Sequence, residues 1–150
     1  MASESPRATV EQILVHLDGS AFGEAGLDYA VAVARATGAR VLLVHVLDNS
    51  HSKHPRPVDT LGIGIARTEA TQYLDHVAQQ MSRELGADTS SSEPRVRTEI
   101  LEGRIADQIL LAANRSSADL IVLVSRGGSG SKSFPMGSTA HRVAQRAHQS

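Results

Sequence analysis

The stretch Asp119-Leu-Ile-Val-Leu-Val-Ser-Arg-Gly127 decides the fold of this 150-residue chain. Its apolar core, 120–124, has the length of a buried strand, and a loop rich in Gly and Ser follows it. Nine residues separate Gly127 from Gly137-Ser138-Thr139, after which a helical pattern begins. In such a strand–loop–helix unit, backbone N–H groups and the positive end of the helix dipole face one point. The pattern predicts an anion site and favours a phosphate-bearing ligand, most simply a nucleotide.

Outward from this stretch, short apolar runs alternate with segments of helical apolar spacing. Strands are predicted at 13–17, 41–47, 96–101 and 120–124, and helices over 27–34, 70–85, 105–113 and 140–147. Gly38 and Gly86 are typical helix ends, and the polar, proline-containing segment 48–59 is predicted to be a loop. The order βαβαβαβα predicts an α/β fold, an open parallel sheet with helices on both faces.

The character of the strands predicts their places in the sheet. Strands one, two and four are almost continuously apolar, which is typical of burial on both faces, whereas Arg97 and Glu99 favour an edge position for the third. Ligands of such sheets bind beyond the carboxyl ends of the strands. Asp18, residues 45–48 and Gly103 fall at those ends. We therefore expect them to converge with 125–127 on one crevice.

Composition limits the classes of function. Residues 1–10 are predicted to be a flexible tail, and residues 11–150 fit a single domain. Lys and Arg number 15 against 16 Asp and Glu, which argues against a nucleic-acid or membrane-surface binder. There is no Cys, and only two Tyr and two Phe. With no signal region and no apolar run of about 20 residues, the expected compartment is the cytoplasm.

Over nearly its whole length the chain resembles the universal stress protein family. Ile13-Leu-Val-His-Leu-Asp-Gly-Ser20 is similar to the family's first strand and turn, and Leu42-Leu-Val-His-Val46 to its second strand. Residues 70–86 are similar to its long second helix, and Ala118-Asp-Leu-Ile-Val122 leads into its glycine loop. The resemblance implies a Rossmann-like fold of the adenine nucleotide alpha-hydrolase-like type.

The resemblance also implies an adenine nucleotide site that holds ATP, with Mg²⁺ bridging the phosphates. Asp18 and Val46 match the positions that hold the adenine, and Gly103 matches a glycine beside the ribose and phosphates. The implied nucleotide-binding residues are Asp18, Gly19, Val46, Gly103, Arg126, Gly127, Gly137, Ser138 and Thr139. Simpler roles stay open for several of them: Asp18 as a turn residue, Gly103 as a strand end, and Ser138 or Thr139 as a helix N-cap.

Two features depart from the family pattern. Val124 stands where nucleotide-binding members carry the first glycine of the loop motif, and its Cβ restricts the backbone there. A fifth strand, which family members usually have, is missing after the last predicted helix. The fourth strand is then expected to be an exposed apolar edge that a protein partner or a second copy covers, unless the sequence is a truncated product.

Two functions remain open on this reading. The first is an ATP-binding or ATP-sensing module in the stress response, which acts through a nucleotide-dependent partner interaction. The alternative is an interaction protein with a degenerate site. No general base for the γ-phosphate is recognisable, so we expect at most slow ATP hydrolysis or autophosphorylation. No metal site is expected, since the pair in His51-Ser-Lys-His54 lies in a polar loop, and His45 is interpreted as a hydrogen-bonded core histidine.

Overall fold

The predicted alternation of strands and helices is confirmed. A computed structural model describes residues 9–18, 23–48, 59–86, 92–123 and 143. The elements are β1 (Gln12–His16), α1 (Gly23–Thr37), β2 (Arg40–Leu47), α2 (Asp59–Leu85), β3 (Val96–Glu102), α3 (Ile105–Ser116) and β4 (Leu120–Leu123). The predicted strand bounds agree to within one residue, but the helices are longer than predicted. The helix α1 covers Gly23–Thr37 rather than 27–34, and α3 ends at Ser116 rather than at 113. Asp59, expected to end a loop, begins α2, which was predicted to begin at residue 70. Of the last predicted helix, only Val143 lies within the described residues, and it is helical.

The four strands form one parallel sheet in the order β3-β2-β1-β4. The central strand β1 pairs with both neighbours, so that His16 lies opposite Val44 of β2 and Leu123 of β4. The predicted edge position of β3 is confirmed, and β4 forms the other edge among the described residues. Its residues are only half-buried apart from Val122, which fits a strand that β1 pairs on one side alone.

Side chains of β1 and β2 alternate between two apolar layers, because successive side chains of a strand point to opposite faces. Odd-numbered residues such as Val15 and Leu43 pack against α1 and α2, and even-numbered residues such as Leu14 and Val44 pack against α3. Val143 joins the layer on the α3 side. Burial of both faces is why these two strands are apolar at almost every position.

Glycines end the first two helices, as predicted. Gly38 and Gly86 follow α1 and α2 with φ of +76° and +77°, a left-handed conformation that costs glycine little. The Gly38 N–H donates to the Ala34 carbonyl at 2.8 Å and closes the last turn of α1. None of the helices in the described part of the chain combines the length and apolarity needed to cross a bilayer.

At the amino edge of the sheet, a carboxylate joins the starts of β1 and β4. Asp119 accepts the backbone N–H groups of Glu11 at 2.9 Å and Gln12 at 3.0 Å through one oxygen. Its own N–H donates to the Gln12 carbonyl at 2.8 Å. These contacts fix the register of β4 against β1.

One polar side chain, His16, lies in the described core, with 6% of its surface exposed. Its pKa is lowered from 6.5 to about 4, chiefly by burial and also by the nearby charge of His45, while the Asp18 carboxylate acts in the opposite direction. His16 is therefore neutral at pH 7.

We expect Asp119→Ala to destabilise the protein by about 1 kcal/mol, because two backbone N–H groups lose their shared acceptor. Asp119→Asn keeps an acceptor oxygen and should retain most of the stability. Urea unfolding followed by circular dichroism measures the difference. Equal midpoints for Asp119→Ala and the unchanged protein would contradict the role of this carboxylate.

The pKa of His16 also predicts a pH dependence of folding. Because the folded pKa of about 4 lies below the unfolded value of 6.5, the unfolded chain binds more protons between these values. The contribution of neutral His16 to the free energy of unfolding is therefore complete above pH 6.5. It falls on acidification, by about 3 kcal/mol in total once pH 4 is reached.

Free energies of unfolding measured from pH 7.5 to 4 check this expectation. The His16→Gln variant lacks the titrating ring and should lose less stability than the unchanged protein over this range. His76→Gln, which replaces an exposed histidine of α2, should keep the original slope. Parallel curves for His16→Gln and the unchanged protein would disprove the assignment.

Candidate functional site

Three of the predicted site residues lie along the carboxyl edge of the sheet. The Leu17 N–H donates to the Val44 carbonyl at 2.9 Å, and the Gly103 N–H donates to the Leu47 carbonyl at 3.1 Å. These bonds align the exits of β1 and β3 with the last residues of β2. The structure thus places Val46 near the end of β2, with Asp18 and Gly103 just beyond the ends of the neighbouring strands, at the edge where parallel sheets bind ligands.

Asp18 and Val46 offer different groups at this edge. Asp18 lies two residues beyond the end of β1 and its side chain is exposed, so its carboxylate can reach a ligand. Val46 is 5% exposed and its side chain packs in the apolar layer on the α3 side. What Val46 can offer a ligand is therefore its backbone rather than its side chain.

The direction of the Val46 backbone follows from the alternation of the ladder. Odd-numbered residues of β2 direct their N–H and C=O groups to β3, since the Leu47 carbonyl accepts the Gly103 N–H. Even-numbered residues direct them to β1, since the Val44 carbonyl accepts the Leu17 N–H. Val46 therefore directs both groups to the β1 side, beyond the last β1–β2 pair, His16 with Val44.

Two histidines flank the exit of β1. Neutral His16 lies in the sheet, near enough to the Asp18 carboxylate and to His45 for both to influence its pKa. His45 is half-buried, and its Nδ1 lies 2.7 Å from the Leu17 carbonyl oxygen. The prediction that His45 is hydrogen-bonded is confirmed. The prediction that His45 lies in the core is wrong. The residue is half-buried, because β2 extends past its last pair with β1.

Gly103 makes the turn from β3 to α3. Its φ of +138° lies in a region that L side chains rarely adopt, and an added Cβ would lie 2.9 Å from Gln108 Nε2. The helix begins two residues later, and its N-cap, Arg104, makes no side-chain capping bond. The first-turn N–H groups of α3 thus lack an acceptor on the N-cap side chain and point toward the carboxyl edge.

The remaining predicted site residues lie outside the described residues. They are Gly19, Arg126, Gly127, Gly137, Ser138 and Thr139. Val124, which departs from the loop motif, and His51 and His54 also lie outside them. Within the described ranges, no three His, Asp or Glu side chains cluster closely enough to hold a metal ion.

Sequence reasoning missed two features of the structure. It assigned no role to His16, although a histidine at the carboxyl end of an otherwise apolar central strand was a visible signal. It also did not predict an open groove of about 730 Å³ between α2 and β3, which contains none of the predicted site residues. Asp75, Arg83 and Arg97 are among the side chains that line this groove.

Comparison with known proteins gives matches over almost the whole chain. A sequence model of the universal stress protein family matches residues 9–150. A universal stress protein of Thermus aquaticus is 35% identical over 131 residues, which cover 87% of this chain and 88% of that protein. The solved structure of protein MJ0577 is similar with a TM-score of 0.77 at 20% identity, covering 94% of this chain and 92% of that one.

A universal stress protein in complex with cAMP also shares the fold, with a TM-score of 0.64 at 18% identity and coverage of 94% and 93%. At these identities the two solved structures establish the shared α/β architecture alone. The family match over residues 9–150 and the relative from Thermus aquaticus go further. From them it follows that the chain belongs to the universal stress protein family.

Proposed function

We propose that this protein binds ATP at the carboxyl edge of its sheet and acts as a nucleotide sensor. The observation that carries the proposal is the alignment of Asp18, Val46 and Gly103 at the carboxyl ends of three neighbouring strands. The cAMP complex of a protein with the same fold supports an adenine nucleotide as the ligand class.

The groups at this edge suit adenosine. An adenine edge presents an amino donor beside a ring-nitrogen acceptor, and the Val46 backbone offers an acceptor and a donor in matching order. The exposed Asp18 carboxylate can accept hydrogen bonds from the amino group or from ribose hydroxyls. Charge-assisted bonds of this kind are stronger than neutral ones and fix orientation.

The phosphates are assigned to the glycine loop predicted from the sequence, 127–138, together with the start of α3 beyond Gly103. Backbone N–H groups and helix N-termini bind phosphate by hydrogen bonds and electrostatic attraction, so this assignment requires no general base and no nucleophile. Mg²⁺ fits this edge, because Mg²⁺ is commonly held by substrate phosphates with one or two carboxylates, and the Asp48 carboxylate is exposed there. Asp48 would hold the ion, which would neutralise phosphate charge.

Sensing is proposed rather than rapid turnover. Contacts to adenine, ribose and phosphates that are equally strong before and during reaction lower the dissociation constant without accelerating hydrolysis. A nucleotide that favours one of two conformations of the protein can, however, change the surface that a partner protein meets, provided that the partner prefers one of the two states.

Calorimetric titration with ATP and Mg²⁺, after removal of any nucleotide carried from the cell, tests the proposal. We expect saturable micromolar binding, and Asp18→Asn should weaken it about tenfold because a charged acceptor is lost. Asp75→Asn, an exposed carboxylate on α2 away from this edge, is the matched control and should bind as the unchanged protein does. No heat and no carried nucleotide would refute the proposal and favour the degenerate-site alternative.

The assignment of the phosphates makes a separate prediction. Gly137→Val places a branched Cβ in the phosphate loop and should weaken ATP binding by about tenfold or more. Adenosine, which has no phosphates, should bind the variant and the unchanged protein with similar affinity. Equal losses for both ligands would show that Gly137 acts on the whole fold rather than on the phosphates.

A further inference from the structure

We propose that His45 is a positioning residue of this site: its imidazole occupies the Leu17 carbonyl and thereby leaves the Val46 N–H to the ligand. The inference rests on the proposed function for the identity of that ligand. Its structural part concerns a hydrogen bond between two strands, and it can be tested without nucleotide.

The hydrogen-bond ladder between β1 and β2 ends one bond earlier than the parallel geometry of the two strands allows. In a parallel ladder, a residue that donates its N–H to one partner accepts at its own C=O from the residue two further along. Leu17 donates to the Val44 carbonyl at 2.9 Å, so the next bond would run from the Val46 N–H to the Leu17 carbonyl. Although both residues are described, that bond is absent, and the paired register ends at His16 and Val44.

The Leu17 carbonyl is occupied by His45 instead. The His45 Nδ1 lies 2.7 Å from the Leu17 oxygen. A carbonyl oxygen only accepts, so the proton of this bond lies on Nδ1, and the ring donates it. The neutral tautomer and the imidazolium ion both carry that proton. The neutral tautomer protonated at Nδ1 and the imidazolium ion can therefore both donate this bond.

At its carboxyl end, β2 is therefore paired with a neighbouring strand on one side alone. Its pairing with β3 continues through Val46 with Leu101 and Leu47 with Glu102, after pairing with β1 has ended. Within the described residues, the side of Val46 that faces β1 thus has no backbone hydrogen-bond partner, and it opens on the site. Such an edge pairs readily with any planar group that offers an acceptor beside a donor.

The same hydrogen bond constrains Asp18. The Leu17 carbonyl belongs to the peptide unit that joins Leu17 to Asp18, and that unit is planar. Anchoring its oxygen sets the direction in which the chain leaves β1, and with it the position of the Asp18 carboxylate. One imidazole thereby places two of the groups assigned to the ligand.

Amide hydrogen exchange in the ligand-free protein tests the structural part. His45→Leu removes the donor, whereas His45→Asn retains an amide N–H close to the position of Nδ1. In His45→Leu the Val46 N–H can bond to the Leu17 carbonyl, and we expect its exchange to slow about tenfold. In the unchanged protein and in His45→Asn it should exchange faster than the Val44 amide, which lies within the ladder. The control is His76→Leu, which removes an imidazole from the exposed face of α2.

Titration with ATP and Mg²⁺ tests the functional part on the same variants. His45→Leu should weaken binding about tenfold, and His45→Asn should stay within about threefold of the unchanged protein. Equal Val46 exchange in His45→Leu and the unchanged protein, or equal ATP affinity of His45→Leu and the unchanged protein, would overturn the inference. If the unchanged protein binds no ATP, the proposed function fails by itself, and the exchange rates still decide whether His45 holds the Val46 N–H out of the ladder.

Discussion

The parallel pairing of β1 with both of its neighbours is the constraint on which the rest of the structure depends. Residues 13–17 are fully buried between two helical layers, so their backbone groups can be satisfied only by β2 and β4. This requirement fixes the register of all three strands. It also decides that Asp18, the first exposed residue after the buried run, emerges at the carboxyl edge rather than elsewhere on the surface.

A difference in strand length turns that edge into a candidate site. The β1 ladder ends opposite Val44, while β2 continues to Leu47 with β3 as its partner. The overhang offers backbone donors and acceptors beside a carboxylate and a helix start. Ligand recognition by backbone groups tolerates wide variation in side chains.

Much of the fold could be predicted because its signals are local. Apolar runs gave β1, β2 and β4, glycines gave the ends of α1 and α2, and Arg97 with Glu99 gave the edge position of β3. The candidate site was predictable in outline for the same reason, since parallel strands bring their carboxyl ends together. The half-buried state of His45 was not predictable, because it depends on where the neighbouring strand stops, which no local pattern encodes.

The sequence by itself determined the class of fold, the family resemblance and the location of Asp18, Val46 and Gly103 at the carboxyl ends of strands. Residue type and spacing carry that information. The tertiary structure alone decided that His16 is buried and neutral, and that His45 donates to the Leu17 carbonyl. Those properties arise between residues that are distant along the chain. Burial depends on which helices cover a strand, and a hydrogen bond from β2 to the end of β1 exists only once the two strands are in register.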